Sequence, residues 1–290
     1  MSLRVIPRLD IKGPNLVKGV RLEGLRVLGK PEHFARYYYE TGADELLYID
    51  VVASLYGRNS LLDIIAKTSR EIFVPLTVGG GLRSLDDIKT VLRAGADKVA
   101  LNTAAIRSPE VIHEAARKFG SSTIVVSIEA KERGGGIYEA YTDNGRERTG
   151  VDVFEWAVRA AELGAGEIIL TSVDREGTGS GFDLELIRRV AESVQIPVIA
   201  SGGAGQLRHV REAATLAKAD GVAIASLLHY EFAAHHAYDT DWPDEGNTEF
   251  LRARNAVASI ASGITLPKIK QHLIGHGVDC RPAAPDSSLI

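Results

Sequence analysis

The feature that most restricts the fold of this 290-residue chain is an internal repeat. Two pairs of segments resemble each other, namely TGADELLYIDVVAS (41–54) with LGAGEIILTSVDRE (163–176), and VPLTVGGG…RAGADKVALNTAA (74–105) with IPVIASGGAG…AKADGVAIASLL (196–228). The spacing is nearly constant, because Glu45 and Glu167 lie 122 residues apart and Thr103 and Ser226 lie 123 apart. A constant offset predicts two similar halves joined in tandem.

Short apolar runs alternate with amphipathic stretches along the chain. Eight such runs lie at 4–9, 45–50, 73–78, 97–101, 123–128, 167–172, 196–201 and 221–225. Unbroken apolar runs of this length are typical of strands buried on both faces of a parallel sheet. Helix-start signals stand between them, as where Ser84 is followed by Asp87 three residues later. Eight strands alternating with helices predict an α/β fold, a (β/α)8 TIM barrel built from two tandem half-barrels.

The barrel is expected to occupy residues 1–290 as a single domain. The segment 235–263 is longer than a final strand and helix unit needs, so we interpret it as an insert before the last helix. Residues 282–290 are expected to form a disordered tail. Pro7 lies inside the first predicted strand, where its missing amide donor predicts a local irregularity.

Composition limits the classes of function. A formal net charge of −4, with 25% charged and 45% hydrophobic residues, is typical of a soluble globular protein and argues against a polyanion-binding surface. The lone cysteine, Cys280, has no partner for an internal disulfide. The chain also lacks a signal-peptide pattern and an apolar run of about 18 to 20 residues. We therefore expect a cytoplasmic protein without a membrane span.

Two acidic residues end predicted strands at equivalent places in the two halves. Asp10 follows the first strand, and Glu129 ends the apolar run of the fifth, 119 residues later. Active sites of TIM barrels form at the C-terminal ends of the strands, so the two carboxylates should face each other across the mouth. Opposed carboxylates can divide general acid and general base roles if their surroundings separate their pKa values. Solvated acids or helix caps are the alternative, and Asp50 is compatible with either catalysis or a structural hydrogen bond.

Glycine-rich turns follow strands in both halves. They are VGGGLRS (78–84), DREGTGSG (174–181) and SGGAGQL (201–207). Such turns expose backbone amides just before a helix, an arrangement that binds phosphate through N–H donors and the helix dipole. Thr103 and Ser226 follow the fourth and eighth strands, where each can add a hydroxyl. The paired turns predict a ligand that carries a phosphate at each end and spans the barrel mouth.

Four charged residues begin strands at the opposite end of the barrel, namely Arg4, Glu45, Lys98 and Glu167. Side chains alternate between the two faces of a strand, so Arg4, Ile6, Arg8 and Asp10 should all point to the barrel axis. The charge of Arg4 can therefore point inward. From the residues alone, these charges are best interpreted as a salt-bridged plug that closes the bottom of the barrel.

Several motifs together resemble one enzyme family. RLDIKGPNLVKG, VGGGLRSLDD, GADKVALNTAA, LTSVDREGTGSG and IASGGAG resemble the cyclase subunit of imidazole glycerol phosphate synthase (the HisF family), from about residue 3 to 230 and again in the last helix. The resemblance implies a lyase of histidine biosynthesis that acts on a linear aminoimidazole carboxamide ribonucleotide with a phosphoribulosyl formimino arm and two phosphates. In that family a glutaminase subunit forms a heterodimer with the barrel and supplies ammonia. The products are imidazole glycerol phosphate and an aminoimidazole carboxamide ribotide.

The resemblance also implies roles for individual residues. Asp10 and Glu129 match the two catalytic aspartates of the family, and Lys18 matches the lysine of a mobile loop after the first strand. The positions that match phosphate contacts are Gly81, Asn102, Thr103, Gly177, Gly203, Ala225 and Ser226. The residues that match a charged ammonia gate, in place of a mere plug, are Arg4, Glu45, Lys98 and Glu167. The implied protein uses no cofactor and no metal, and it binds neither nucleic acid nor membrane.

Two departures from the family pattern affect the chemistry. Glu129 is one methylene longer than the usual aspartate, and a misplacement on the order of 1 Å can cost about a hundredfold in rate. Arg8 replaces a small residue, so we expect it to favour ionised Asp10 and to narrow the ammonia route. A related barrel that passes ammonia to sugar amidation in surface polysaccharide biosynthesis is a second hypothesis. The sister sugar isomerase of histidine synthesis is a third, although it would not need the gate charges.

Overall fold

A computed structural model of the chain describes residues 2–53, 61–235 and 261–283. Most of the predicted insert at 235–263 and most of the predicted tail at 282–290 lie outside these ranges. None of the helices within them combines the length and the apolar composition that a bilayer span requires.

The secondary structure alternates between strands and helices. The barrel strands are β1 (Arg4–Lys12), β4 (Leu46–Asp50), β5 (Leu76–Gly79), β6 (Lys98–Leu101), β7 (Ile124–Glu132), β10 (Glu167–Ser172), β11 (Val198–Ser201) and β12 (Gly221–Ile224). The remaining strands are β2 (Asn15–Val20), β3 (Glu23–Gly29), β8 (Tyr138–Thr142) and β9 (Glu147–Asp152). The helices are α1 (Pro31–Glu40), α2 (Leu62–Thr68), α3 (Leu85–Ala94), α4 (Thr103–Arg107), α5 (Glu110–Phe119), α6 (Val153–Glu162), α7 (Leu184–Ser193), α8 (Leu207–Thr215), α9 (Ser226–His235) and α10 (Leu266–Gly275).

Eight parallel strands close into a barrel, in the order β1, β4, β5, β6, β7, β10, β11 and β12. The circle is completed by β12, which pairs with β1 from Arg4↔Gly221 to Pro7↔Ile224. The predicted (β/α)8 TIM barrel is confirmed. Because β1 and β7 hold the first and fifth places in the circle, their C-terminal ends lie on opposite sides of the barrel. We call the end of the barrel where the strands have their C-termini the mouth.

The two halves repeat each other in their contacts as well as in their sequence. The Leu76 amide donates to the Asp97 carboxylate at 2.8 Å, and the Val198 amide donates to the Asp220 carboxylate at 2.9 Å. Each half also extends one barrel strand into an antiparallel hairpin, β2–β3 from β1 and β8–β9 from β7. These equivalent features support the tandem half-barrel arrangement.

The two hairpins do not follow from the apolar pattern of the sequence. Their outer strands carry no long apolar run, because β9 has no buried residue and β3 is buried only at Val27–Gly29. The hairpins begin at the mouth, where Val17 pairs with Asp10 and Tyr141 pairs with Glu129. Both acids therefore lie at the point where a barrel strand continues into a hairpin.

An apolar layer fills the lumen of the barrel. This lumen layer consists of Ile6, Leu47, Ala100, Val125, Ile169, Ile199 and Ala223. The irregularity expected at Pro7 does not occur, because β1 pairs with both neighbours without a register shift. The amide and the carbonyl of Val5 both bond to Asp44, just before β4. Because backbone groups alternate in direction along a strand, the backbone of Pro7 also faces β4. The pairing of β1 with β4 begins only at Arg8. Pro7 therefore interrupts little of the pairing.

The start of α3 agrees with its predicted capping signal. The Ser84 hydroxyl accepts from the Asp87 amide at 3.2 Å, and the Asp87 carboxylate accepts from the Ser84 amide at 3.1 Å. Ile88 and Val91 on the same helix are buried against the sheet. The capping box thus sets where the helix begins, and its apolar face packs it onto the barrel.

The last helix docks on the barrel through a buried charge. Lys270 in α10 is fully buried, and its Nζ donates to Asp44 at 2.7 Å. Arg281 donates to the same carboxylate oxygen at 2.9 Å, and the other oxygen accepts from the Val5 amide at 2.8 Å. Burial lowers the pKa of Lys270, and Asp44 only partly opposes this effect. One carboxylate therefore ties α10 and the following segment to β1.

Replacing Asp44 by alanine should lower the free energy of unfolding by about 3 to 5 kcal/mol, because the buried Lys270 ammonium would lose its counter-ion. Chemical denaturation measures this change. The double variant Asp44→Ala/Lys270→Met should recover most of the loss. Equal instability of the single and double variants would show that the acceptor for the Val5 amide, and not the ion pair, provides the stability.

Candidate active site

Asp10 is held between two cations at the mouth end of β1. Its Oδ1 accepts from Arg8 Nε at 2.9 Å and its Oδ2 from Lys18 Nζ at 2.9 Å, and all three side chains are buried. Burial alone would raise the pKa of Asp10, but Arg8 and Lys18 outweigh it and lower the pKa to about 2. Asp10 is therefore ionised, as the sequence predicts from the presence of Arg8.

Lys18 connects the β2–β3 hairpin to the second half of the barrel. Its Nζ also donates to the carboxylate of Glu176, which follows β10, and the Arg21 amide donates to the Glu176 carbonyl at 2.8 Å. A Cβ at Gly177 would lie 2.6 Å from the Gly19 carbonyl oxygen, so the hairpin lies directly on this turn. Lys18, predicted in a loop, is thus on a strand that covers the turn. Glu176 was not predicted, although an acid within DREGTGSG is a signal for it.

Glu129 lies at the mouth end of β7 in different surroundings. Its Oε2 accepts from the Gly145 amide at 2.8 Å, in a turn where Asn144 adopts a left-handed φ of 60°. Burial raises the pKa of Glu129 to about 7, and the Gly145 amide and Arg8 only partly oppose the rise. Glu129 therefore exchanges its proton near neutral pH, whereas Asp10 stays charged.

A cavity of about 260 Å³ borders Glu129 in the first half of the mouth. Its lining includes the three predicted phosphate positions of this half, which we call the first anion set: Gly81, Asn102 and Thr103. The adjoining Gly80 has a φ of 99°, and a Cβ there would lie 2.3 Å from the Asp50 carbonyl oxygen. The turn after β5 therefore requires glycine in order to pack against the end of β4.

Two arginines that were not predicted as site residues also line this cavity. Arg83 stands in the VGGGLRS turn, and Arg107 ends α4, where it pairs with Asp143 at 3.1 Å. The glycine-rich turn is a signal for Arg83, whereas Arg107 lies outside every predicted motif. Both add positive charge beside the first anion set.

The predicted phosphate positions of the second half lie at the mouth ends of β10, β11 and β12. We call them the second anion set: Gly177, Gly203, Ala225 and Ser226. The Gly181 amide donates to the Gly203 carbonyl at 2.8 Å, and a Cβ at Gly203 would lie 2.1 Å from the Gly181 carbonyl oxygen. This close approach joins the turns that follow β10 and β11. Ser226 begins α9 as Thr103 begins α4, so the two sets occupy equivalent places in the two halves.

Asp50 has a clear structural role at the end of β4. Its Oδ1 accepts from the amides of Val52 at 3.0 Å and Ala53 at 2.9 Å. It also borders the cavity beside Glu129. The hydrogen bonds to the turn account for an aspartate here, and a catalytic role for Asp50 stays a prediction.

Arg8 crosses the lumen between the apolar lumen layer and the mouth. Its Nη1 donates to the hydroxyls of Thr171 on β10 at 3.0 Å and Ser201 on β11 at 3.1 Å. Its carbonyl oxygen lies 2.7 Å from His229 Nε2, which must therefore carry the proton, and His229 Nδ1 lies 2.7 Å from the Tyr38 hydroxyl. Burial lowers the pKa of His229 to about 4, so this histidine is neutral. Arg8 is thus fixed at both its backbone and its side chain.

Four charges form a ring at the opposite end of the lumen. In this charge ring Arg4 lies 2.5 Å from Glu45 and 3.2 Å from Glu167, while Lys98 lies 2.9 Å from each glutamate. The four residues predicted for the ammonia gate therefore come together, with each cation bound to both acids. The ring alone is compatible with either a plug or a gate, so the gate stays a prediction.

The surroundings of Glu129 predict a pH dependence of stability. The unfolded chain ionises this carboxyl near its ordinary pKa of 4.5, whereas the folded protein keeps the proton up to about pH 7. Folding takes up a proton in this window, so rising pH should destabilise the folded chain relative to Glu129→Gln, by about 3 kcal/mol in total. Urea denaturation of both proteins across the window measures the difference. Parallel curves of unfolding free energy against pH would contradict the prediction.

Comparison with known proteins agrees with this arrangement. The family model described as Histidine biosynthesis protein matches residues 4–233, which contain all eight barrel strands, the mouth residues and the charge ring. The chain is 60% identical over 206 residues to the imidazole glycerol phosphate synthase subunit HisF of Legionella pneumophila, across 71% of this chain and 97% of that relative. The chain belongs to the histidine biosynthesis protein family.

Proposed function

We propose that the chain is the cyclase subunit of imidazole glycerol phosphate synthase and receives ammonia from a separate glutaminase subunit. Its substrate is the diphosphorylated aminoimidazole carboxamide ribonucleotide, and its products are imidazole glycerol phosphate and an aminoimidazole carboxamide ribotide. The observation that carries this proposal is the opposed pair Asp10 and Glu129 between two equivalent anion sets. The 60% identity with a HisF subunit supports the same reaction.

The two anion sets suit a ligand with a phosphate at each end. Glycine turns at Gly81 and Gly203 bring backbone close to the mouth on opposite halves, and Thr103 and Ser226 offer hydroxyls beside them. A ligand anchored in this way would hold its central atoms above Arg8, between the two carboxylates. The reacting part of the substrate would then lie at the top of the lumen, where ammonia arrives.

The reaction requires protons to move at two stages. Addition of ammonia to a carbonyl carbon releases water, and closure of the imidazole ring releases the aminoimidazole as an amine. Glu129, with a pKa of about 7, holds a proton at neutral pH and can also give it up. Lys18 and Asp10 add a fixed pair of charges on the opposite side of the mouth. The mouth therefore supplies both a proton-transferring group and electrostatic positioning.

Ammonia would travel along the lumen from the charge ring to the mouth. In the proposed complex the glutaminase docks at the ring, ammonia passes between its side chains, and the apolar lumen layer keeps water from following. Arg8 stands at the far end of this path, bonded to Thr171 and Ser201. Its position supports the prediction that the ammonia route is narrow in this chain.

The sugar-amidation hypothesis fits these contacts less well. A barrel that only conducts ammonia needs neither two anion sets nor a buried Lys18 at the mouth. A sugar isomerase would have no use for a charge ring at the lumen entrance. The cyclase accounts for the mouth, the lumen and the ring together.

The purified chain should consume the diphosphorylated ribonucleotide when excess ammonium salt is present at alkaline pH, measured as loss of substrate absorbance. Glu129→Gln should lower kcat by about 10² to 10⁴-fold, because the group that exchanges the proton is lost. Asp10→Asn should also lower kcat, because Lys18 loses an anionic partner.

Glu192→Gln is the matched control, because this glutamate is on the outer helix α7 and pairs only with the exposed Lys218 among the ion pairs of the described residues. It should leave kcat unchanged. A chain that consumes no substrate but still activates a co-purified glutaminase would refute the cyclase and favour the ammonia conduit.

A further inference from the structure

The two mouth carboxylates differ in what surrounds their oxygens. Both oxygens of Asp10 are occupied by cations, Arg8 at Oδ1 and Lys18 at Oδ2, each at 2.9 Å. Glu129 accepts from the Gly145 amide at Oε2, and the residue lines the cavity of about 260 Å³. A group in that cavity can reach Glu129 without breaking an ion pair. Asp10 is not among the residues that line this cavity, and it is 2% exposed.

Arg8 is held so that it cannot readily leave Asp10. Its guanidinium also donates to the hydroxyls of Thr171 and Ser201, and the residue is 3% exposed. His229 bonds to its carbonyl and fixes the backbone at the same point. Turning the guanidinium towards Glu129 would break these contacts and leave Asp10 with Lys18 alone. The structure therefore favours one pairing of Arg8 over the other.

We propose that Arg8 is a positioning residue that keeps Asp10 permanently charged as the anchor of Lys18, so that of the two carboxylates Glu129 alone transfers the proton in turnover. This assignment rests on the proposed cyclase function and specifies how its two carboxylates divide the work. It differs from a symmetric division in which both carboxylates exchange protons. Asp10 then acts through Lys18, and Glu129 acts on the substrate itself.

Charged and titratable groups face this pair from several elements. Those around Glu129 are Arg8 and Asp10 of β1, Asp50 of β4, Arg83 before α3 and Arg107 of α4. Those around Asp10 are Arg8, Lys18, Glu129, Glu176 and His229. Lys18 is shared with Glu176, and Arg107 is paired with Asp143. Arg8 bonds to Asp10 and also acts electrostatically on Glu129 and Glu176, so its removal should affect both carboxylates of the pair.

The two departures of this chain from the family pattern then have a common explanation. A cation at position 8 keeps the proton off Asp10, and burial with little compensating charge lets Glu129 hold a proton near neutral pH. The additional methylene of glutamate also allows its carboxyl to reach further into the cavity than an aspartate would. Arg8 and Glu129 therefore form one functional pair.

Carbon-13 NMR of the full chain, labelled at the side-chain carboxyl carbons of Asp and Glu, tests this division directly. Resonances are assigned with Asp10→Asn and Glu129→Gln. In the unchanged chain Glu129 should titrate with a midpoint of about pH 7, while Asp10 shows no transition in the neutral range. In Arg8→Met both midpoints should rise, that of Asp10 by about one pH unit or more.

The pH profile of ammonium-dependent kcat gives a second readout that a purely structural role of Arg8 would not shift. The change of kcat near pH 7 should shift to higher pH in Arg8→Met and return towards the original pH in Arg8→Lys. It should disappear in Glu129→Gln. Arg8→Gln, which can still bond to Thr171 and Ser201, replaces Arg8→Met if the methionine variant does not fold.

A Glu129 midpoint near the ordinary value of 4.5, or superimposable kcat profiles for the unchanged chain and Arg8→Met, would overturn the proposal. Failure of the cyclase function itself has a different signature, namely no turnover by the unchanged chain. In that case the NMR midpoints would still show whether Arg8 keeps Asp10 ionised while Glu129 holds a proton.

Discussion

The hydrogen bonds between β12 and β1 close the sheet, and the sites at both ends of the barrel depend on this closure. None of the eight barrel strands is an edge strand, and their C-terminal ends all lie around one mouth. Residues that are far apart in sequence thereby become neighbours, as where Arg8 reaches Thr171 and Ser201 at separations of 163 and 193 positions. The same strands in an open sheet would leave β1 at an edge, remote from β7.

The parts of the fold that carry a strong local signal could be predicted from the sequence. The eight barrel strands are apolar runs, and the internal repeat identifies Asp10 and Glu129 as equivalent acids. The hairpins could not be predicted, because neither outer strand carries a long apolar run: β9 has no buried residue, and β3 is buried only at Val27–Gly29. Glu176 was missed for another reason, since its contact with Lys18 spans 158 positions and depends on the closed barrel. Local patterns thus identify residues that end strands, but not the side chains that surround them.

The barrel places buried charges in two different arrangements. In the charge ring each cation bonds to both glutamates, and Arg4 and Lys98 remain partly exposed to solvent. At the mouth, Arg8, Asp10, Lys18 and Glu176 alternate in sign along a row of buried side chains. Removing four charges from water is costly, and the cost is offset only while every member has its partner. Such a row contributes less to stability than to fixing the position of the hairpin that carries Lys18.

The two hairpins are equivalent in the fold but different in chemistry. The β2–β3 hairpin places the ammonium group of Lys18 on Asp10, whereas the β8–β9 hairpin places only the uncharged amide of Gly145 on Glu129. One mouth carboxylate is therefore bonded to a full charge and the other to a neutral donor. Although the barrel is made of two similar halves, the two sides of its mouth therefore place the same kind of group in different electrostatic surroundings.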